Sequence, residues 1–147
     1  MISRREEFLP FALPSIGEEE IQEVVDSLRS GWVTTGPKVK QFEKNISEYV
    51  RCKNAVAVNS CTAGLHVALK ALGVGPGEEV IVPTLTFTAT ANVVVHLGAR
   101  PVLVDVGNDF NIMTEAIEKV ITPKTRVIMP VHHSGQASNL KEIYEVA

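Results

Sequence analysis

Between residues 55 and 65 a short apolar run, Ala55-Val56-Ala57-Val58, gives way to the small residues Asn59-Ser60-Cys61-Thr62-Ala63-Gly64 and then Leu65. Small side chains let a ligand approach the backbone, and the amides and positive dipole end of a following helix favour an anion. The chemistry open to such a turn is phosphate binding, although a plain tight turn between strand and helix satisfies the same pattern. Phe87, in Pro83-Thr84-Leu85-Thr86-Phe87, reads by itself as one core aromatic among five phenylalanines. Trp32, the only tryptophan, sits with Thr34, Thr35 and Gly36 between two helical patterns, where it reads as the hydrophobic anchor of a turn.

Other reactive residues do not combine into a site. His132 and His133 are adjacent, so on an extended strand they point to opposite faces, and His66 and His96 lack acidic or cysteine partners at ligand spacing. No metal site is expected. Asp105 closes an apolar run as the ribose-binding acid of a dinucleotide fold does, but Gly73, Gly75 and Gly77 precede a strand instead of following one. Asp105 is expected to accept hydrogen bonds from a turn or helix end. Cys52 and Cys61 are too few for a disulfide framework and lack zinc spacing, so both are expected as reduced thiols.

Composition sets the bounds. At 147 residues, a compact fold buries roughly 68–70% of its extended-chain surface. Hydrophobic residues make up 45% and charged residues 21%, a globular balance that argues against disorder. The net charge of −3 and the lack of a basic stripe argue against nucleic acid as a partner. Met1-Ile2-Ser3-Arg4-Arg5-Glu6-Glu7 is not followed by a continuous apolar segment, and no window approaches the roughly 18 apolar residues of a membrane span. A cytoplasmic protein without membrane contact is the default expectation.

The elements that must position these residues are α/β. Ser15 and Glu18 fit a capping box before Ile21, Val24, Val25 and Leu28, a helix expected to stop at Gly31. A second helix is expected from Pro37, with Val39, Phe42, Ile46 and Tyr49 on one face. Beyond this helical lead-in, residues 1–52, the stretch 53–147 alternates. Strands are expected at Ala55–Val58, Val80–Val82, Pro101–Val104 and Arg126–Val131, and helices at Thr62–Leu72, Thr88–Leu97 and Glu115–Ile121. This order implies a mostly parallel sheet flanked by helices, in a single domain over 1–147. Ser138 is expected to cap a last helix through Leu140, Ile143, Tyr144 and Ala147, and with no stop signal after it the chain reads as cut short.

The cradle, Gly31-Trp32-Val33-Thr34-Thr35-Gly36-Pro37, the run from Val82 to Asn92 and Gly98-Ala99-Arg100-Pro101-Val102-Leu103-Val104-Asp105 together resemble the DegT/DnrJ/StrS family of pyridoxal-phosphate-dependent sugar aminotransferases. The resemblance runs from about Phe8 to Ala147. It implies the fold type I, aspartate aminotransferase-like large domain in incomplete form. It also implies that the loop of Ser60, Cys61, Thr62 and Ala63 holds the phosphate of pyridoxal phosphate, with the Thr62 and Ala63 amides and the Thr62 hydroxyl as donors. Cys61 stands where the family usually has glycine or another small residue. Phe87 would stack on the pyridine ring and His132, in Pro130-Val131-His132, would approach the cofactor. Trp32, Thr34 and Thr35 would lie beside the active site near a subunit interface, serving sugar contact or interface packing.

Transamination needs a Schiff-base lysine and an acid beside the pyridine nitrogen. In the resembled family both follow the segment present here, and none of Lys38, Lys40, Lys44, Lys53, Lys70, Lys119, Lys124 and Lys141 matches the catalytic context. No catalytic residue is therefore expected within this chain. The fold would also leave Ala55–Val58 without neighbouring strands. The first reading is the amino-terminal part of a homodimeric enzyme moving an amino group, from glutamate, to a nucleotide-linked keto sugar. The second is a non-catalytic module binding pyridoxal phosphate, a nucleotide sugar or a protein; a third is an unrelated α/β domain with a phosphate site.

Overall fold

A computed structural model of the chain describes residues 7–147. They separate into two units, divided between Ala57 and Val58. In the first, α1 (Glu18–Ser30) starts from Gly17, whose N–H donates to Glu20 Oε2 at 2.6 Å. The expected cap pair Ser15 and Glu18 is thus displaced by two residues. Gly17 has no hydroxyl, so the carboxylate half of the box alone satisfies a backbone donor there. Gly31 ends α1 in the left-handed region at φ 72°, its N–H donating to Leu28 O.

Helix α2 (Pro37–Tyr49) opens with proline at a first-turn position, as expected. Of the apolar residues that mark the two helices, Ile21, Val24 and Leu28, and Phe42, Ile46 and Tyr49, are exposed, whereas Val25 and Val39 are half-buried. Their spacing defines amphipathic faces.

The second unit contains α3 (Cys61–Ala71), β1 (Glu79–Pro83), α4 (Ala89–His96), β2 (Arg100–Val104), α5 (Thr114–Glu118), β3 (Thr125–Ile128) and α6 (Leu140–Val146). The strands form a parallel sheet in the order β2-β1-β3, with Ile81 opposite Val102 on one side and Ile128 on the other. This is the expected α/β class. The central strand alternates its side chains between two cores. Val80 and Val82 pack with Leu69, Val74, Val93 and Val94, whereas Ile81 packs with Val104, Ile112, Ile117 and Ile143.

Ala55–Val58 forms no strand. A β-strand exists only by pairing, and among the described residues this segment has no ladder partner; the Ala57 N–H donates instead to Glu43 Oε1 at 2.9 Å. The expected cap at Ser138 also moves by one residue: Asn139 is the N-cap of α6 and its side chain accepts from Glu142 N–H. Among the described residues no helix is long and apolar enough to cross a membrane.

The strand starts are tied by Glu79, a buried carboxylate that accepts from Arg100 Nη2 at 2.6 Å and from Thr122 Oγ1 at 2.7 Å. The Arg100 guanidinium first, and then the Thr122 hydroxyl, hold the Glu79 carboxyl below the usual range. A carboxyl depressed in the folded state contributes stability above its unfolded pKa and loses it as pH falls through the folded value. The urea midpoint of the native chain is therefore expected to fall more steeply from about pH 5 to about pH 3 than that of Glu79→Gln. Parallel curves would contradict this role.

Candidate functional site

The second unit places its candidate site where the carboxyl ends of β1 and β3 meet the start of α3, the edge at which α/β sheets bind ligands. Ser60 caps α3 from extended backbone, and its Oγ accepts from the Ala63 N–H at 3.1 Å. This bond uses the Ala63 amide. Cys61 and Thr62, the first two residues of the helix, have no intrahelical acceptor for theirs. A cavity of about 370 Å³ lies here, walled by Cys61 and Thr62, by Phe87 and Thr90, and by Met129 and Val131. Its volume is within the ordinary range of small-ligand pockets, about 300–1,000 Å³.

Phe87 is 79% exposed, so it is not a core residue. The loop after β1 turns directly into α4, with the Thr90 N–H donating to Phe87 O at 3.0 Å and the Thr86 and Thr90 hydroxyls 2.7 Å apart. The ring is left as an open apolar wall of the cavity. No lysine lines this cavity. Thr86, in the loop before α4, and Thr90, in its first turn, also line it; both belong to the Val82–Asn92 run that carries the resemblance.

His132 lies on the turn after β3, exposed, and is not among the lining residues, whereas its neighbour Val131 is. Its Nδ1 accepts from the Ser138 N–H at 3.1 Å. Asp105 accepts from the Val106 N–H at 2.9 Å and from Thr84 Oγ1 at 3.2 Å, the turn-holding role expected of it. Sequence reading passed over Asn111. This buried amide accepts from the His133 N–H and from Ser138 Oγ, and donates to Asp109 and to Ala137 O.

Within the first unit, Trp32 and Thr34 line a separate cavity of about 550 Å³ together with Asp26, Ser30, Pro37 and Lys38. Thr35 contributes its carbonyl, which accepts from Trp32 Nε1 at 2.9 Å. Lys38 is paired with Glu23. Gly36 sits beneath the indole so closely that a Cβ there would lie 1.9 Å from Trp32 Nε1. Its extended backbone suits any residue, so only the indole must yield. Gly36→Ala is expected to break the indole's hydrogen bond, worth about 1 kcal/mol, and shift the emission of the single tryptophan with far-ultraviolet circular dichroism unchanged. Unaltered emission would show that the indole is not seated there.

The model of the DegT/DnrJ/EryC1/StrS aminotransferase family matches residues 14–147. The chain is 52% identical to the spore coat polysaccharide biosynthesis protein SpsC of Bacillus subtilis (strain 168), across 100% of this chain and 38% of that protein. Among solved structures, a Streptococcus pneumoniae protein described as a sugar aminotransferase, in its PLP form, superposes with a TM-score of 0.91 at 47% identity. The match covers 94% of this chain and 36% of that one. For 3-amino-5-hydroxybenzoic acid synthase the TM-score is 0.87 at 36% identity, covering 92% and 36%. The chain therefore spans little more than a third of the length of these relatives, which share the fold type I architecture of pyridoxal-phosphate-dependent aminotransferases.

Proposed function

We propose a function that proceeds from one fact: this chain belongs to the DegT/DnrJ/EryC1/StrS aminotransferase family. Its second unit holds pyridoxal phosphate in the cavity between α3 and Phe87. The observation that carries this reading is the juxtaposition, around one cavity, of a helix start with free amides and an exposed aromatic ring. Amides of Cys61 and Thr62 and the Thr62 hydroxyl hold the phosphate, with Ser60 and Ala63 forming the capped turn that presents them. Phe87 stacks on the pyridine ring and fixes its plane, and His132 approaches from the turn after β3. The bound cofactor supplies an electron sink for moving an amino group; the chain's own residues bind and orient it.

The complete protein transfers an amino group, from glutamate, to a nucleotide-linked keto sugar, as a cytoplasmic homodimer. Trp32, Thr34 and Thr35 contact the sugar, and both units belong to one large domain. The match to a polysaccharide biosynthesis protein and to a protein described as a sugar aminotransferase supports the substrate class. None of this chain's lysines is assigned to hold the cofactor covalently, and none of its acids to stand beside the pyridine nitrogen.

Titration with pyridoxal phosphate followed by borohydride reduction tests the reading. Reversible binding is expected, weakened about 2- to 12-fold by Phe87→Ala through loss of about 0.5–1.5 kcal/mol of ring stacking, with the intact mass unchanged after reduction. No binding, or a stoichiometric adduct on one of the eight lysines, would contradict it.

A further inference from the structure

Asn111 is 2% exposed, and both polar atoms of its amide are used twice. Oδ1 accepts from the His133 N–H at 3.2 Å and from Ser138 Oγ at 3.3 Å; Nδ2 donates to Asp109 Oδ2 at 3.2 Å and to Ala137 O at 3.4 Å. One side chain thereby joins the loop after β2 to the turn after β3. The Ser138 hydroxyl also reaches Val131 O at 3.0 Å, so its single proton is shared between the two carbonyl acceptors.

The same turn holds His132. A backbone N–H only donates, so the Nδ1 that faces the Ser138 N–H at 3.1 Å must be bare, and the neutral ring carries its proton on Nε2. Two residues flanking this clamp have left-handed backbone, Phe110 at φ 64° and Ser134 at φ 51°. For a bulky residue such as Phe110 that conformation is costly and persists only where its surroundings impose it. Its ring lies 5.5 Å from the His133 imidazole, against the clamped turn.

We propose that Asn111 is a positioning residue for His132: by locking the 131–138 turn it fixes the imidazole so that Nε2–H is the one donor left for an oxygen acceptor of bound pyridoxal phosphate. This rests on the reading of His132 as a cofactor-site residue. Asn111 does not touch the His132 ring; it acts through Ser138, whose N–H is the donor that keeps Nδ1 bare.

The test is nitrogen-detected NMR of the imidazoles in the full, unliganded chain at about pH 8.5, above the ordinary histidine range, with hydrogen exchange of the Ser138 amide. The native chain is expected to show His132 with a bare, hydrogen-bonded Nδ1 and a protected Ser138 amide. Asn111→Ala is expected to speed Ser138 exchange at least about tenfold and release the Nδ1 bond, with the amides of Ile81 and Val82 still protected. A native His132 carrying its proton on Nδ1, or exchanging between tautomers, would overturn the proposal even if the variant did not fold. An Asn111→Ala chain that kept the native ring state would overturn it equally. Adding pyridoxal phosphate separates the remaining claims: an Nε2 signal that stays fixed while the cofactor binds overturns the role of His132. Absence of binding overturns the proposed function, and the tautomer of the unliganded chain still tests the clamp by itself.

Discussion

Ile81→Ala is expected to destabilise the chain by about 3–5 kcal/mol, a fifth or more of the roughly 5–15 kcal/mol that holds a domain of ordinary stability. Ile81 is fully buried at the centre of the central strand and packs with Val104, Ile112, Ile117 and Ile143. Its backbone is hydrogen-bonded to strands on both sides, so β1 cannot shift to fill the space left by the missing methyl and methylene groups. The cost is then the lost transfer energy plus the cavity. Ile121→Ala, at a residue 41% exposed, is expected to cost less than about 1 kcal/mol. Urea unfolding of the three proteins measures both values, and equal losses at the two positions would contradict the two-sided core around β1.

The largest expected effect on binding comes from Thr62→Asp. A carboxylate in the first turn of a helix suits the dipole, so α3 is expected to be as stable as before. The same carboxylate stands in the cradle proposed for the cofactor phosphate, where like charges about 4 Å apart repel by about 1 kcal/mol in bulk water and about 4 kcal/mol near a protein surface. An effect of about 2–4 kcal/mol weakens pyridoxal phosphate binding by about 30- to 800-fold. Pyridoxal, which lacks the phosphate, is expected to bind the variant and the native chain within about threefold of each other. Equal losses for both ligands would place the phosphate away from Thr62.

Much of the fold was legible because it depends on local patterns. The continuous apolar run Val80-Ile81-Val82 marked a strand buried on both faces, and the spacing of Ile21, Val24 and Leu28 marked a helix although those residues are exposed. Ala55–Val58 has the same local character as β1, yet pairing with a distant segment decides whether a strand forms, and none of the described residues pairs with it. Helix starts shifted by one or two residues because the Glu20 carboxylate takes the Gly17 N–H, and because Asn139 caps α6 while the Ser138 hydroxyl is turned to Asn111 and Val131 O.

The site divides along the same line. The small residues at 59–64 and the aromatic after β1 are local signals, and the fold brings Cys61, Thr62 and Phe87 to one cavity. Asn111 was invisible because its partners His133 and Ser138 lie 22 and 27 residues away in sequence. Its apolar neighbours Phe110 and Ile112 gave no hint that the amide between them ties two loops together.

The most direct measurement is equilibrium dialysis of the unmodified chain against pyridoxal phosphate and, separately, pyridoxal. With the phosphate seated at the start of α3, pyridoxal phosphate is expected to bind at one site, at least about tenfold tighter than pyridoxal, a difference of about 1.4 kcal/mol or more. Equal affinity for the two, or binding of neither, would contradict a phosphate cradle at Ser60–Ala63.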